Sequence, residues 1–266
     1  MSTVRRHFSR NLAILIALGF ALPATSVQAA EIPLDQRQSG YETMGRETRA
    51  MQDDDTANPG SLWILDGEAL WTKKTGAANK ACGECHKDAA TSMRGVAARY
   101  PAFDSKQNKA LDLEARINNC RAEYQKAQPL PFENKDLLAL TAHVARQSRG
   151  LPIAPPSEKM TPIVEQGRAI FEKRQGQLNL SCAQCHDDNW GHKLAGAPIP
   201  QGHPNGYPLY RLEWQTLGSL QRRLRNCLIG MRAEHYDYGS PEYVDLEIYL
   251  MWRARGMPME TPAVRP

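Results

Sequence analysis

Two copies of one pentapeptide constrain this chain more than any other feature of its 266 residues. The sequence reads CGECH at 82–86 and CAQCH at 182–186, so each copy contains two nearby cysteines followed by a histidine. Thiols at this spacing can form thioethers to one haem, and the adjacent histidine can then bind the iron. The pattern predicts two covalently bound c-type haems. They are held by Cys82, Cys85, Cys182 and Cys185, with His86 and His186 as axial ligands.

Other uses of the pentapeptide fit less well. A single copy could belong to a zinc knuckle or to a redox-active dithiol. A zinc ribbon, however, places its cysteine pairs about 15–20 residues apart, and here the pairs begin at 82 and at 182. Two haem-attachment sites are therefore the favoured interpretation.

The two pentapeptides belong to a longer internal repeat. Tyr100-Pro101 recurs as Tyr207-Pro208, and RINNC at 116–120 recurs as RLRNC at 223–227, after a short insertion in the second copy. Each copy then shows apolar residues at i, i+3 and i+7, as in a helix with one buried face, and an Arg-Gly-x-Pro stop signal. The stop signals lie at 149–152 and 255–258. The repeat predicts an all-α fold of two tandem cytochrome c-like domains related by duplication.

The first residues predict a signal peptide that ends at residue 29. Arg5, Arg6 and Arg10 precede a short apolar run and a small-residue ending. A membrane anchor is the alternative, but a spanning helix needs about 20 apolar residues, and no other segment is apolar enough to cross a membrane. We therefore expect export to the periplasm. Since the net charge of +4 includes these arginines, the mature chain is nearly neutral, which argues against nucleic-acid binding.

Prolines divide the remaining chain. Residues 152, 155, 156 and 162 are all proline, which predicts a stiff, extended linker. The predicted domains are 30–152 for the first haem and 153–266 for the second haem and active site. The polar segment 31–60 has no counterpart in the repeat. We expect it to form a loop-rich extension that packs on the first domain or on a partner.

The two remaining cysteines, Cys120 and Cys227, fall at equivalent places in the repeat. Ligands of equivalent irons should recur together, and neither methionine nor a further histidine recurs in this way. Cysteine is therefore the predicted second axial ligand of each haem, Cys120 in the first domain and Cys227 in the second. The alternatives are a Cys120–Cys227 disulfide, which needs Cα atoms within about 7 Å, or two buried thiols.

Arginines surround Cys227 in the run QRRLRNC. Arg223 lies four residues before Cys227, so on a helix the two share a face. A guanidinium group there can keep the thiol deprotonated and can bind a small oxyanion in bidentate fashion. We expect Arg222 and Arg225 to lie on a solvated face instead. Arg232, Arg253 and Arg255 are left open as further cations of the site.

The run GHPNGYPLYRLEWQTLGSLQRRLRNC at 202–227, with both pentapeptides, resembles the SoxA family of dihaem cytochromes from periplasmic thiosulfate oxidation. The resemblance covers nearly the whole mature chain. It implies an L-cysteine S-thiosulfotransferase that works with a small SoxX-like monohaem cytochrome. Such an enzyme joins thiosulfate to a cysteine of a SoxYZ-like carrier protein and passes two electrons to a cytochrome c.

The resemblance also assigns residues. Cys227 would be the catalytic cysteine, held as a persulfide on the iron, Arg223 would bind the substrate anion, and His186 would be the opposite iron ligand. Some family members lack the first haem, but this sequence retains Cys82, Cys85, His86 and Cys120. The resemblance therefore implies the dihaem form.

Three other functions remain open from the residues. A dihaem electron carrier without chemistry of its own would explain the haem motifs, although not the recurring cysteine beside arginines. A dihaem peroxidase needs an open or openable iron site, which a matched thiolate on each haem does not favour. A redox sensor for sulfur compounds is the third. Thiosulfate turnover with the carrier present would separate the transferase from all three.

Overall fold

Helices make up most of the regular structure in the computed structural model, which describes residues 31–266. The predicted signal peptide, 1–29, lies outside the described residues. The helices are α1 (Arg46–Asp53), α2 (Ser61–Thr72), α3 (Cys82–His86), α4 (Ala89–Ser92), α5 (Leu113–Cys120), α6 (Lys135–Arg146), α7 (Thr161–Glu172), α8 (Cys182–His186), α9 (Leu220–Gly230) and α10 (Pro241–Arg253). Within 31–266 no helix has the length and apolar character needed to cross a membrane.

The two halves of the chain repeat one helical arrangement. Helix α2 packs along α6 in the first half, and α7 packs along α10 in the second. Gly67 of α2 lies against the backbone carbonyl of Ala139, and Gly167 of α7 lies against that of Asp245. Any side chain at these glycines would collide with the carbonyl, so the recurring glycine lets the paired helices touch. The predicted duplicated helical architecture is confirmed.

The ends of α6 and α10 follow the signals in the sequence. The side chains of Asn134 and Ser240 accept hydrogen bonds from the first-turn amides of α6 and α10, as expected of N-cap residues. After each helix the chain turns at a glycine of the Arg-Gly-x-Pro signal, Gly150 with φ 79° and Gly256 with φ 84°. This left-handed conformation favours glycine, so both stop signals act as predicted.

Short strands are the part of the fold that the sequence did not predict. They are β1 (Ala102–Asp104), β2 (Lys109–Leu111), β3 (Lys193–Leu194), β4 (Ala197–Pro198), β5 (Leu209–Arg211), β6 (Thr216–Gly218) and β7 (Ala263–Arg265). The hairpins β1–β2 and β5–β6 are equivalent in the repeat, β3–β4 lies in the insertion, and β7 pairs in parallel with β5. Strands of two or three residues are too short to show an alternating pattern.

The two stop signals also join the halves to each other. The amide of Gly150 donates to the carbonyl of Met259 at 2.8 Å, and the amide of Met259 donates to the carbonyl of Leu151 at 2.9 Å. A buried cluster with residues from both halves lies beside this pairing: Ala97, Ala98, Ala145, Ile153, Met251, Ala254, Met257 and Met259. The repeated signal therefore ends each helix and supplies the backbone contact between the halves.

The extension 31–60 packs differently from the prediction. The amide of Gln38 donates to Gln201 Oε1 at 2.7 Å, and Gln52 Oε1 accepts from the amide of Val264 at 3.0 Å. Arg149 reaches Asp55 at 2.7 Å from the first half. The expectation of packing on the first domain or a partner was therefore wrong in part, because much of the extension lies on the second half. Buried polar partners there, such as Gln201, cannot be recognised from sequence spacing.

Candidate functional site

A cleft with about 1370 Å³ of empty space lies in the second half. Helix α8 contributes Cys182 and His186 to its lining, and α9 contributes Arg223 and Cys227. Its other walls are largely apolar and include Phe171, Leu220, Leu224, Leu228, Leu246 and Leu250. Four residues that the sequence singled out from two separate segments therefore face one space.

Helix α8 holds both thiols of the second pentapeptide on one turn. Ser181 caps it by accepting a hydrogen bond from the amide of Gln184 at 3.3 Å, while the Gln184 side chain accepts from the Ser181 amide at 3.0 Å. This is a capping box. Burial raises the pKa of the Cys182 thiol to about 12 and also raises that of Cys185, with Cys227 acting in the same direction. Neutral thiols in such surroundings suit thioether attachment better than they suit a nucleophilic role.

His186 is oriented for binding a metal through one ring nitrogen. Its Nδ1 lies 2.7 Å from the carbonyl oxygen of Pro200, which can only accept, so Nδ1 carries the proton and Nε2 is left available. Burial lowers the pKa of His186, and the charges of Arg223 and Arg253 act in the same direction. The imidazole is therefore neutral, which is the form that binds iron.

Arg223 and Cys227 lie one turn apart on α9 and face the cleft together, the relation expected from their spacing. Burial opposes the charge of Arg223, but the attraction of Cys227, Tyr207 and Glu213 outweighs it and raises the pKa of the guanidinium. Among the described residues no carboxylate forms an ion pair with Arg223. A charged, unpaired guanidinium beside a cysteine is a site for an anion.

The cleft is also lined by polar residues that the sequence reasoning did not select, among them Tyr207, Arg211 and Arg265. Arg211 forms an ion pair with Glu213 at 2.8 Å, and Arg265 pairs with Glu260. Tyr207 was visible as the counterpart of Tyr100 in the repeat. Arg265 lies beyond the repeated part of the chain, so no comparison between the copies could reveal it.

The other arginines of the region lie outside the cleft. Arg222 stacks on Trp214 at 4.3 Å and Arg225 stacks on Tyr238 at 5.2 Å. The sequence predicted a solvated face for both, but aromatic rings cover part of this face of α9. Arg232 is exposed, Arg253 pairs with Asp187 at 2.6 Å, and Arg255 stacks on Trp252 at 4.2 Å. None of these five lines the cleft.

The first half repeats the arrangement with a more open site. His86 and Cys85 of α3 are exposed, and Cys82 is half-buried. Cys120 ends α5, and burial raises the pKa of its thiol, with Cys82 and Cys85 near enough to add to the effect. The ring of His86 lies 5.7 Å from that of Trp71. The predicted haem residues of this half therefore lie in one region, but Cys85 and His86 are more exposed to solvent than Cys185 and His186.

The described residues of the cleft fit a haem. The cleft offers the thiol of Cys182, the neutral imidazole of His186 with a free Nε2, and the thiol of Cys227, and Cys185 lies on the same turn as Cys182. Gln175, which also lines the cleft, has a buried Nε2 donor with no partner among the described residues. Such a donor suits a group that carries carboxylates, as haem does.

Comparisons with known proteins agree with this geometry. The family described as "SoxA/TsdA, cytochrome c domain" matches residues 66–153 and 166–259. The chain is 38% identical to the L-cysteine S-thiosulfotransferase subunit SoxA of Pseudaminobacter salicylatoxidans, over 88% of this chain and 82% of the relative. It is 34% identical to that of Rhodovulum sulfidophilum, over 87% and 81%.

A solved structure is also similar. The crystal structure of SoxXA from P. pantotrophus matches with a TM-score of 0.83 and 30% identity, covering 86% of this chain and 87% of that one. The similarity therefore extends over both halves and the connection between them. It supports the prediction of two tandem cytochrome c domains.

Proposed function

The chain belongs to the SoxA/TsdA cytochrome c family, and from this premise we propose that it acts as the SoxA-type subunit of an L-cysteine S-thiosulfotransferase. Two relatives that carry this name are matched by this chain over more than four fifths of their own length. One observation supports the proposal at the level of individual residues. Cys227 and Arg223 face one cleft together with the haem-attachment residues Cys182 and His186.

The proposed cofactors are two covalently bound haems c. Cys82 and Cys85 would hold the first and Cys182 and Cys185 the second, and the pairs His86–Cys120 and His186–Cys227 would supply the iron ligands. When bound, the haem supplies one-electron redox chemistry at its iron. Thiolate ligation favours the ferric state and so lowers the reduction potential. Low-spin ferric EPR signals with the narrow g spread of thiolate ligation would support these axial pairs, and bis-histidine or Met/His signals would contradict them.

The protein's own residues set up the reaction in the cleft. Arg223 binds the thiosulfate anion beside the sulfur of Cys227, and the apolar walls exclude water, which strengthens that attraction. The carrier's cysteine enters the same cleft. One sulfur–sulfur bond forms between the carrier thiol and the outer sulfur of thiosulfate, and one proton and two electrons are released. His186 stays neutral throughout, because Pro200 fixes its Nδ1 proton.

The partners follow from the same proposal. A SoxX-like monohaem cytochrome binds the chain, a proposal supported by the similarity to the SoxXA structure. A SoxYZ-like carrier protein delivers the cysteine, and a cytochrome c accepts the electrons. The place of action is the periplasm, where the predicted signal peptide would deliver the chain.

The test compares the two equivalent cysteines. Cys227→Ala should abolish thiosulfate-dependent turnover with the carrier, while both haems stay attached, because attachment uses other thiols. Cys120→Ala is the matched control from the other repeat, and it should retain turnover. Haem content and turnover are measured on the same preparations. Substantial turnover by Cys227→Ala would overturn the catalytic assignment. A wild-type complex that reduces cytochrome c without any carrier would instead favour an electron carrier or dehydrogenase.

A further inference from the structure

The two halves place an arginine and a cysteine at matching positions of one helix, but a residue near the arginine carries opposite charges in the two copies. Arg116 and Cys120 of the first half correspond to Arg223 and Cys227 of the second. The hairpins that precede these helices also correspond, with equal strand lengths and equal pairing. Asp104 is the last residue of β1, and Arg211 is the last residue of β5. A carboxylate in one copy therefore stands where the other copy has a guanidinium group.

In the first half the aspartate neutralises the arginine. Asp104 is 5% exposed and accepts hydrogen bonds from the amides of Lys106 and Gln107 at 2.8 and 2.9 Å. It also forms an ion pair with Arg116, which contacts the Tyr100 hydroxyl at 3.1 Å as well. A carboxylate fixed by two amides and a guanidinium group cannot turn away easily. Arg116 is therefore occupied and cannot bind a substrate anion.

In the second half both corresponding positions are cationic. Arg211 and Arg223 line the same cleft, and burial together with the nearby charge of Arg223 lowers the pKa of Arg211. The carboxylate that pairs with Arg211 is Glu213, whose side chain is 62% exposed. Ion pairs at such exposure contribute little to stability. Arg211 can thus exchange Glu213 for a bound anion at low cost.

We propose that Arg211 is a second substrate-binding residue, which with Arg223 holds the doubly charged thiosulfate anion between two guanidinium groups. The exchange of aspartate for arginine at this one position decides which of the two repeated sites binds the anion. This inference rests on the proposed function and names a second residue that contributes positive charge to the site. Two guanidinium groups favour a small dianion over a monoanion of similar size.

Three variants test it in the haem-loaded complex with its partner cytochrome and the carrier. Arg211→Gln should raise the KM for thiosulfate about tenfold to a hundredfold, the cost of one charge-assisted hydrogen bond, and kcat should change much less. Arg211→Asp should lose saturation with thiosulfate, because the new carboxylate would pair with Arg223 as Asp104 pairs with Arg116. Arg222→Gln is the matched control. Arg222 stacks on the same Trp214 as Arg211 but does not line the cleft, so its KM should stay at the wild-type value.

Chemical labelling supplies a second measurement that needs no variant. A dicarbonyl reagent is applied to the wild-type protein with and without thiosulfate, and the labelled arginines are found by peptide mapping. Thiosulfate should protect Arg211 and leave the labelling of Arg222 unchanged.

Equal KM values for the Arg211 and Arg222 variants, or labelling of Arg211 that ignores thiosulfate, would overturn the inference. These outcomes are distinct from failure of the proposed function. If the wild-type complex does not turn over thiosulfate with the carrier, the function itself fails. If it does and Arg211→Gln behaves as the control, only the role of Arg211 fails.

Discussion

The residues near His186 show how one side chain can fix the position of another. Arg253 is 7% exposed, pairs with Asp187 at 2.6 Å and donates to the carbonyl of Gln201 at 3.3 Å. Gln201 follows Pro200, whose carbonyl binds His186. The buried ion pair therefore fixes the loop that orients His186.

Arg253→Met should destabilise the protein by about 3–5 kcal/mol, because it leaves the charge of Asp187 buried without a partner. Arg255→Met is the control, since Arg255 pairs with the half-exposed Glu31 and its loss should cost about 1 kcal/mol or less. Urea unfolding of the haem-loaded proteins, followed by circular dichroism, measures both. Equal losses would show that the pair with Asp187 is not energetically distinct from a surface pair.

The sequence predicted the residues that recur and missed those that differ. Cys120 and Cys227 were found because both copies carry a cysteine at the same place. Arg211 was missed because its counterpart is Asp104, and a search for matching residues passes over a position where the charge is reversed. The signal was present, but as a difference between the repeats.

At the level of elements, the helix pairs depend on a glycine in each half. Gly67→Ala and Gly167→Ala should each destabilise the protein by about 1–3 kcal/mol, the usual cost of overpacking, because the added methyl group would meet a backbone carbonyl. Gly230→Ala is the matched control, since no atom lies within 4 Å of the Cβ position at this last residue of α9.

Thermal unfolding of the three variants measures the difference. Gly230→Ala should be neutral or slightly stabilising, because alanine has less backbone freedom to lose. A midpoint for Gly167→Ala equal to that of Gly230→Ala would contradict the close contact between α7 and α10.

Long elements with capping signals were predictable, and short or unrepeated ones were not. Helices α6 and α10 each have an apolar face, an N-cap and a glycine stop, and all three features predict the same helix. Strand β7 pairs with β5 although Leu209 and the residue opposite it, Ala263, are 54 positions apart in the sequence. Such a distant pairing leaves no local pattern. The extension 31–60 was partly misplaced for the same reason, since its partners in the second half are distant in the sequence, as Gln201 is from Gln38, 163 positions away.

For the whole molecule, the contact between the halves encloses a cavity with about 580 Å³ of empty space. Residues from equivalent places in the repeat line it in pairs: Tyr100 and Tyr207, Pro101 and Pro208, Leu113 and Leu220. Three carboxyl groups also face it, Asp112 and Glu114 from α5 and Glu247 from α10. Gln221 donates to Asp112 at 3.0 Å, but among residues 31–266 no lysine or arginine lines this cavity. Acidic groups from both halves therefore meet without a cation.

These carboxyl groups should make the stability of the protein fall as the pH rises. Burial, together with Asp112, Glu247 and Glu133, raises the pKa of Glu114 well above its usual value, and burial with Asp112 does the same for Glu247. The unfolded chain loses these protons near pH 4.3, whereas the folded protein keeps them to higher pH. The folded state binds more protons in that window, so the free energy of unfolding decreases with rising pH until the folded groups also ionise.

Glu114→Gln and Glu247→Gln should flatten this decrease, because a glutamine of the same shape cannot ionise. Glu242→Gln, at an exposed carboxylate on the same helix as Glu247, is the control and should follow the wild type. Urea unfolding between pH 4.5 and about pH 8, within the range where most proteins stay folded, measures the slopes. Parallel curves for Glu247→Gln and Glu242→Gln would mean that the cavity carboxyls ionise as freely as surface groups. A flatter curve for the first alone would show that the junction between the halves is held together in its protonated form.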